Sequence, residues 1–156
     1  MSASPVDRSV LLLHLDYTAW ASGLLLDACT HLEKPELLAT LRHIYYADRV
    51  WLARLEGKTQ GFQDDPEPGL DDLKQAWPAL LARFREVVSA WPDELLTAEL
   101  TYKNLKGEMH SVAQWKVLLH VVNHGTLHRG QVMAMIRQLG HQPPATDLIY
   151  FYLKKG

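Results

Sequence analysis

Apolar residues recur at helical spacing over four long stretches of the chain, and the breaks between them are rich in glycine and proline. From Val10 to Leu32 the positions Leu11, Leu12, Leu15, Ala19, Leu25 and Leu26 follow this spacing with no proline among them, which predicts a first helix. Pro35 suits the first turn of a second helix, where a missing N–H costs nothing. That pattern runs through Leu41, Ile44, Val50, Trp51 and Leu55 to Gly57, a glycine of the kind that stops helices. Lys58 to Gly69 has loop chemistry and predicts a long crossover. Leu70 to Trp91 carries a third pattern through Leu73, Trp77, Leu80, Leu81, Phe84, Val87 and Val88; Pro78 marks a kink or a later start, and Pro92 closes it.

Between Leu95 and Ser111, partial alternation around a glycine-centred turn over Ala98 to Met109 predicts a short β-hairpin, which must pack on helices to persist. Ser111 reads as the N-cap of the last long helix, with Gln114 completing a capping-box pattern, and that helix extends to Leu139 before Gly140. Pro143 and Pro144 open the tail, and Asp147 to Tyr152 predicts a short C-terminal helix. The expected fold is all-α: a four-helix bundle with one long crossover, built as a single domain over residues 1–156.

Composition narrows the partners. The formal charge of -2, from 16 basic and 18 acidic residues, leaves no excess to neutralise phosphates, so nucleic acid is excluded as an expected partner. Cys29 is the single cysteine. It cannot form an internal disulfide, and within the first helix it reads as a small core residue rather than a nucleophile. No apolar run behind a positive flank opens the chain and no run approaches a bilayer span, so no membrane partner is expected and the cytoplasm is the expected compartment.

The candidate chemistry lies in the last long helix, where His120, His124 and His128 stand four residues apart. Each ring is rotated by about 40° and raised by about 6 Å from the one before, so all three share one stripe, which continues to Gln131. Trp115, Leu118, Leu119, Val122, Met133 and Ile136 mark an apolar side next to it, so the rings are expected to face inward or to border the core. A lone core histidine usually bonds a carbonyl or carboxylate and binds nothing. Three in register ask for a shared partner, and His124 with His128 form a pair able to hold one ion jointly, while His120, a turn further away, reads equally as a ligand and as an outlying or packed neighbour. One helix cannot close such a site. His43 in the second helix is the first candidate for a third ligand and His14 the second; His31, His110 and His141 fall near helix ends or turns and receive no role. Gly125 follows His124 where a zinc protease needs a glutamate base, which removes that chemistry. Gly125 and Gly130 weaken a helix interior, and a neighbouring helix or a bound ligand in close approach would account for them.

The run from Leu119 to Gln131, ending His128-Arg129-Gly130-Gln131, resembles the signature of the DinB-like (YfiT-related) superfamily, and the resemblance extends over most of the chain. It takes in Tyr17 and Trp20, His43 followed by Trp51, the Asn104/Gly107/Glu108 turn, and the tail of Gly140, Pro143, Pro144 and Asp147. It implies a four-helix bundle holding one divalent metal ion, of the nickel, zinc or iron type, on three histidines, carried over here to His43, His124 and His128. Members of the family commonly have a further histidine where this chain has Leu127, and several form homodimers.

Three neutral nitrogen ligands with open positions describe a catalytic metal site better than a structural one. The resemblance extends to relatives that transfer or depend on low-molecular-weight thiols, so the expected function is metal-assisted activation of a small thiol for transfer to an electrophile. The alternatives are a hydrolase using bound hydroxide, with Asp16, Asp48 or Gln131 as helpers, and a non-catalytic metal-binding stress-response module.

Overall fold

The computed structural model describes residues 3–58 and 66–155; residues 59–65 of the expected crossover lie outside the described residues. The elements are α1 (Arg8–Ala28), α2 (Pro35–Leu55), α3 (Leu70–Ser89), the single turn α4 (Glu94–Thr97), the hairpin β1 (Glu99–Lys103) and β2 (Met109–Ala113), α5 (Gln114–Gln138) and α6 (Leu148–Lys155). Around the bundle the helices follow the order α1, α3, α2, α5. Side-chain pairings give their directions. Asp16 meets Arg85 and Thr30 meets Lys74, so α1 and α3 are antiparallel; Asp48 meets Trp77 and Glu56 meets Arg83, so α2 and α3 are parallel. Two consecutive parallel helices require a connection that returns along the bundle, and the Arg42 Nε–H bond to the Pro68 carbonyl places the end of that connection back beside the N-terminal half of α2.

The helices end where local chemistry stops them. Gly57, at a φ of 70°, closes α2 with the Lys58 N–H bonded to the Ala53 carbonyl. The first helix stops at Ala28, earlier than expected, because His31 takes a left-handed φ of 67° and turns the chain toward α2. Cys29 therefore sits just beyond the helix, fully buried, with its thiol pushed up to about 11 by burial. Pro78 neither delays nor ends α3. It lies on the exposed side, where water can reach the carbonyl it leaves without a donor. Ser111 is not a helix cap: it pairs with Thr101 in the hairpin and its hydroxyl donates to Glu99. The last long helix begins at Gln114, whose side chain donates to the Leu95 carbonyl.

Two apolar clusters fill the ends of the bundle. One gathers Leu25, Leu41, Ile44, Leu73, Trp77, Val132 and Ile136, the other Leu11, Leu15, Leu52, Phe84, Val88, Leu118 and Val121. The waist between them is polar: Thr18, Ser22, Asp48 and Arg129 are all nearly inaccessible. Arg129 donates to the Ser22 and Thr126 hydroxyls and lies over the Tyr17 ring, and Asp48 accepts the Trp77 indole N–H. The object close to Gly125 is this same arginine. A Cβ there would stand 2.7 Å from Arg129 Nη1, whereas one at Gly130 would meet nothing within 4 Å. By length and hydropathy α1 could cross a bilayer, yet its buried residues pack against α3 and α5 as those of a core helix, and Asp16 is paired with Arg85.

The two helix glycines should therefore respond in opposite directions. Gly130→Ala is expected to raise the unfolding free energy by about 0.5–1 kcal/mol. Gly125→Ala should lower it by about 1–2 kcal/mol as the buried guanidinium is displaced. Urea unfolding monitored by circular dichroism decides both. Burial raises the Asp48 carboxyl from 3.8 to about 7, against the lowering effects of the Trp77 hydrogen bond and of Arg129. A carboxyl raised in the folded state holds its proton there more tightly than in the unfolded chain, so its contribution falls as pH rises from about 4 to about 7. Over that window Asp48→Asn is expected to gain stability relative to the unmutated protein, and parallel pH curves would show that Asp48 is ionised throughout.

Candidate metal centre

The seam between α2 and α5 positions the site. His43 of α2 stands against His124 and His128 of α5, while Trp51, two turns further along α2, stands against His120, so the helices run antiparallel. On α5 the buried positions are Gln114, Val117, Leu118, Val121, Gly125, Arg129, Val132 and Ile136. The histidine stripe flanks this buried stripe and does not enter the core. His124 and His128 are half-buried, and His43 and His120 are exposed. The expectation that the rings border the core thus holds only at the rim of the bundle, and Leu119, expected on the apolar side, is itself exposed.

His43 Nε2 lies 3.1 Å from His124 Nε2 and 3.2 Å from His128 Nε2, and the three ligand atoms all fall within 4.8 Å of one another. Nitrogen ligands about 2.1 Å from one ion are separated by about 3.0–3.4 Å in tetrahedral or octahedral geometry, so these spacings suit a common ion. Protons alone satisfy the cluster poorly. His128 Nδ1 lies 2.7 Å from Gln131 Oε1, an acceptor, so Nδ1 carries the hydrogen and Nε2 presents a lone pair to the centre. A hydrogen on His43 Nε2 can point at one neighbour only, leaving another pair of lone pairs opposed. A cation at the centre accepts all three.

Burial disfavours the charged form of two of these rings. The His124 imidazole is pushed down to about 4, first by burial and then by its neighbours His128, His43 and His120; His43 is lowered by burial and by His128. Neutral imidazole is the ligating form, so these shifts favour ligation over protonation at His124 and His43.

The other candidates lie elsewhere. His14 Nδ1 accompanies the Val10 carbonyl and its Nε2 meets the Tyr152 hydroxyl, on the α6 side of the bundle, so it is not a ligand to this centre. His120 packs between His124 and Trp51 and is not one of the three converging rings. His31 occupies the turn after α1, and His110 lies in the hairpin beside Asn104. Of the three proposed helpers, Asp16 is held by Arg85 and Asp48 is buried under Trp77, while Gln131 orients His128. Leu127 points outward and is 61% exposed, so a histidine at that position would not face the centre. The burial of Arg129 was not anticipated from sequence. Its only signal was a glycine four residues earlier, on the same helical face.

Residues 8–154 match the sequence profile of the DinB family. The chain is also similar to Protein DinB of Bacillus subtilis (strain 168), at 26% identity over 161 residues, covering 90% of this chain and 92% of that protein.

Titration of the metal-stripped protein with nickel or zinc, followed by calorimetry, is expected to show one ion per chain. His124→Ala should abolish that binding and His120→Ala should preserve it, while Gln131→Ala should weaken it by about 10- to 100-fold through loss of ring orientation. Stoichiometric uptake by the His124→Ala, His128→Ala double variant would overturn the ligand set.

Proposed function

The chain belongs to the DinB family, and on that footing we propose that it is a metal-dependent enzyme that activates a small thiol for transfer to an electrophile. The observation that carries this reading is the convergence of three imidazole Nε2 atoms, with no carboxylate or thiolate joining the cluster among the described residues. Such a donor set leaves the full charge of a divalent ion in place, and the exposure of His43 leaves a side open to an incoming ligand. A dication held there would lower the pKa of a thiol bound to it, supplying thiolate at neutral pH.

The chain's own residues do the rest. His43, His124 and His128 hold the centre, and Gln131 fixes the tautomer and plane of His128. With the three Nε2 lone pairs turned to the centre, the proton that leaves the thiol passes to solvent. In the transfer itself the sulfur attacks the electrophilic carbon, the C–S bond forms, and the leaving group departs with its electron pair. In the hydrolase alternative the same ion would generate hydroxide from bound water. Asp16 and Asp48, the carboxylates that would assist it, are engaged away from the centre, and a thiol, with a free pKa of about 8.5 against about 15.7 for water, ionises more readily at such an ion. A purely structural role would suit a closed site, and an exposed ligand argues against it. The reducing cytoplasm, where small thiols are abundant, is the compartment this reading implies.

The test is conjugation of a panel of low-molecular-weight thiols to chlorodinitrobenzene by zinc- or nickel-loaded protein, with product and released chloride both measured. Metal-loaded protein is expected to exceed the metal-free form and His124→Ala by about 100-fold or more, with a rate profile whose apparent pKa lies below the free thiol's value of about 8.5. Equal rates with and without metal would refute thiol activation, and metal-dependent ester hydrolysis without conjugation would favour the hydrolase.

A further inference from the structure

The seam between α2 and α5 continues past the histidines as an aromatic wall. His120 stands 5.6 Å from His124 and 5.3 Å from Trp51, ring centre to ring centre, and Trp51 stands 5.0 Å from Tyr102 of the hairpin. At the far end of this wall is Arg54. Its guanidinium carbon lies 4.6 Å from the Trp51 ring centre and 4.5 Å from that of Tyr102, and one nitrogen donates to the Lys103 carbonyl. His43 and Arg54 share one face of α2, because eleven residues are close to three whole turns, and Trp51 stands about 80° round the helix from His43, on the side that meets His120.

Arg54 differs from most of the arginines around it. Arg8, Arg42, Arg83 and Arg85 each pair with a carboxylate, whereas no carboxylate among the described residues pairs with Arg54. Glu108, the acidic residue of the hairpin turn, is held by Asn104 and stands near His110. Burial lowers the Arg54 pKa while Tyr102 raises it, and a guanidinium so far above neutrality remains charged. One carbonyl partner leaves most of its five N–H donors uncommitted. A cationic fork clamped by two rings, half-buried and without a counter-ion, is preorganised for a carboxylate.

We propose that Arg54, with Trp51 and Tyr102, forms the distal subsite of the metal centre and selects ligands that carry a carboxylate at the end away from the metal. This rests on the reading of His43, His124 and His128 as a metal site with an open position. Arg54 follows His43 by about 16 Å along the helix axis. A metal–sulfur bond of about 2.3 Å and a charge-assisted hydrogen bond of about 2.8 Å take up part of that span and leave about 11 Å for the ligand itself. At about 1.2 Å per bond, that is the length of an extended tripeptide or of an eight- to ten-bond chain. The substrate class is therefore an elongated monoanion with a metal-seeking head, an apolar middle that lies along His120 and Trp51, and a terminal carboxylate.

The experiment uses cobalt-loaded protein, whose visible spectrum reports ligands entering the open position, after metal stoichiometry has been measured. Mercaptooctanoic acid is titrated against mercaptooctanol, and in a parallel series the monohydroxamate of octanedioic acid is titrated against that of its methyl ester. The acid is expected to bind at least about 10-fold more tightly than its neutral partner. In Arg54→Gln this advantage should vanish through weakening of the acid alone, and Arg54→Lys should retain part of it. Equal affinities in the unmutated protein, or an acid preference that survives Arg54→Gln, would overturn the subsite. Equal weakening of acid and neutral ligand in Arg54→Gln would also overturn it, since that pattern belongs to a residue that only pins the hairpin. Failure of the underlying readings is separately visible. A protein that takes up no cobalt removes the metal site and the subsite together, before any ligand is added. Hydroxamates that bind with an acid preference where thiols do not bind would refute thiol activation and support the subsite.

Discussion

A single guanidinium at the waist of the bundle sets the position of the helix that carries His124 and His128. Arg129 is 1% exposed, lies over the Tyr17 ring, donates to Ser22 across the interface with α1, and feels the carboxyl of Asp48 from α2. Burying a charged group without partners is costly, so α5 has few rotational settings that satisfy it. Once Arg129 points inward, the 100° step of an α-helix turns His128 toward α2, and the four-residue repeat brings His124 beside it. Gly125 belongs to the same arrangement, because it leaves the space that the guanidinium occupies.

The polar waist also divides the core. Apolar clusters on either side supply the burial that stabilises the bundle, while Ser22, Asp48 and Arg129 couple α1, α2 and α5 at one level. Such layers add less net stability than apolar packing would, and their value lies in discriminating against helices that slide or rotate. Register matters here because His43 and the α5 histidines meet only when the antiparallel α2 and α5 are aligned to within a fraction of a turn.

At the rim, three neutral imidazoles converge without enough protons to satisfy one another, and the aromatic wall beyond them ends in a guanidinium without a carboxylate partner among the described residues. In the proposed reading the centre takes a cation and the far end an anion. The hairpin is essential to the second, since it brings Tyr102 and the Lys103 carbonyl against α2.

Much of the fold was legible along the chain because helix periodicity, glycine stops and prolines act over a few residues: four long helices, the crossover, the hairpin and a short final helix all follow from local pattern. The pairing of His124 with His128 was legible for the same reason, as a consequence of helical repeat, and His43 stood out as one of two candidates in other helices. What local pattern could not distinguish was a serine at the end of a strand from one capping a helix. Ser111 looked like a cap, and only its pairing with Thr101 decides otherwise. Nor could it tell which polar residues are buried. Nothing along the chain marks Asp48 or Arg129 as buried, because burial depends on four helices meeting at one level, a property of no single segment. The choice of His43 over His14 was likewise tertiary: the two lie on helices diagonal to each other in the bundle, and only the packing of α2 on α5 brings one ring to 3.1 Å from His124 and leaves the other beside Tyr152. The sequence by itself determined the helices and the residues able to ligate; the packing decided which of them share a centre, because convergence depends on helix rotation and register, and long-range contacts set both.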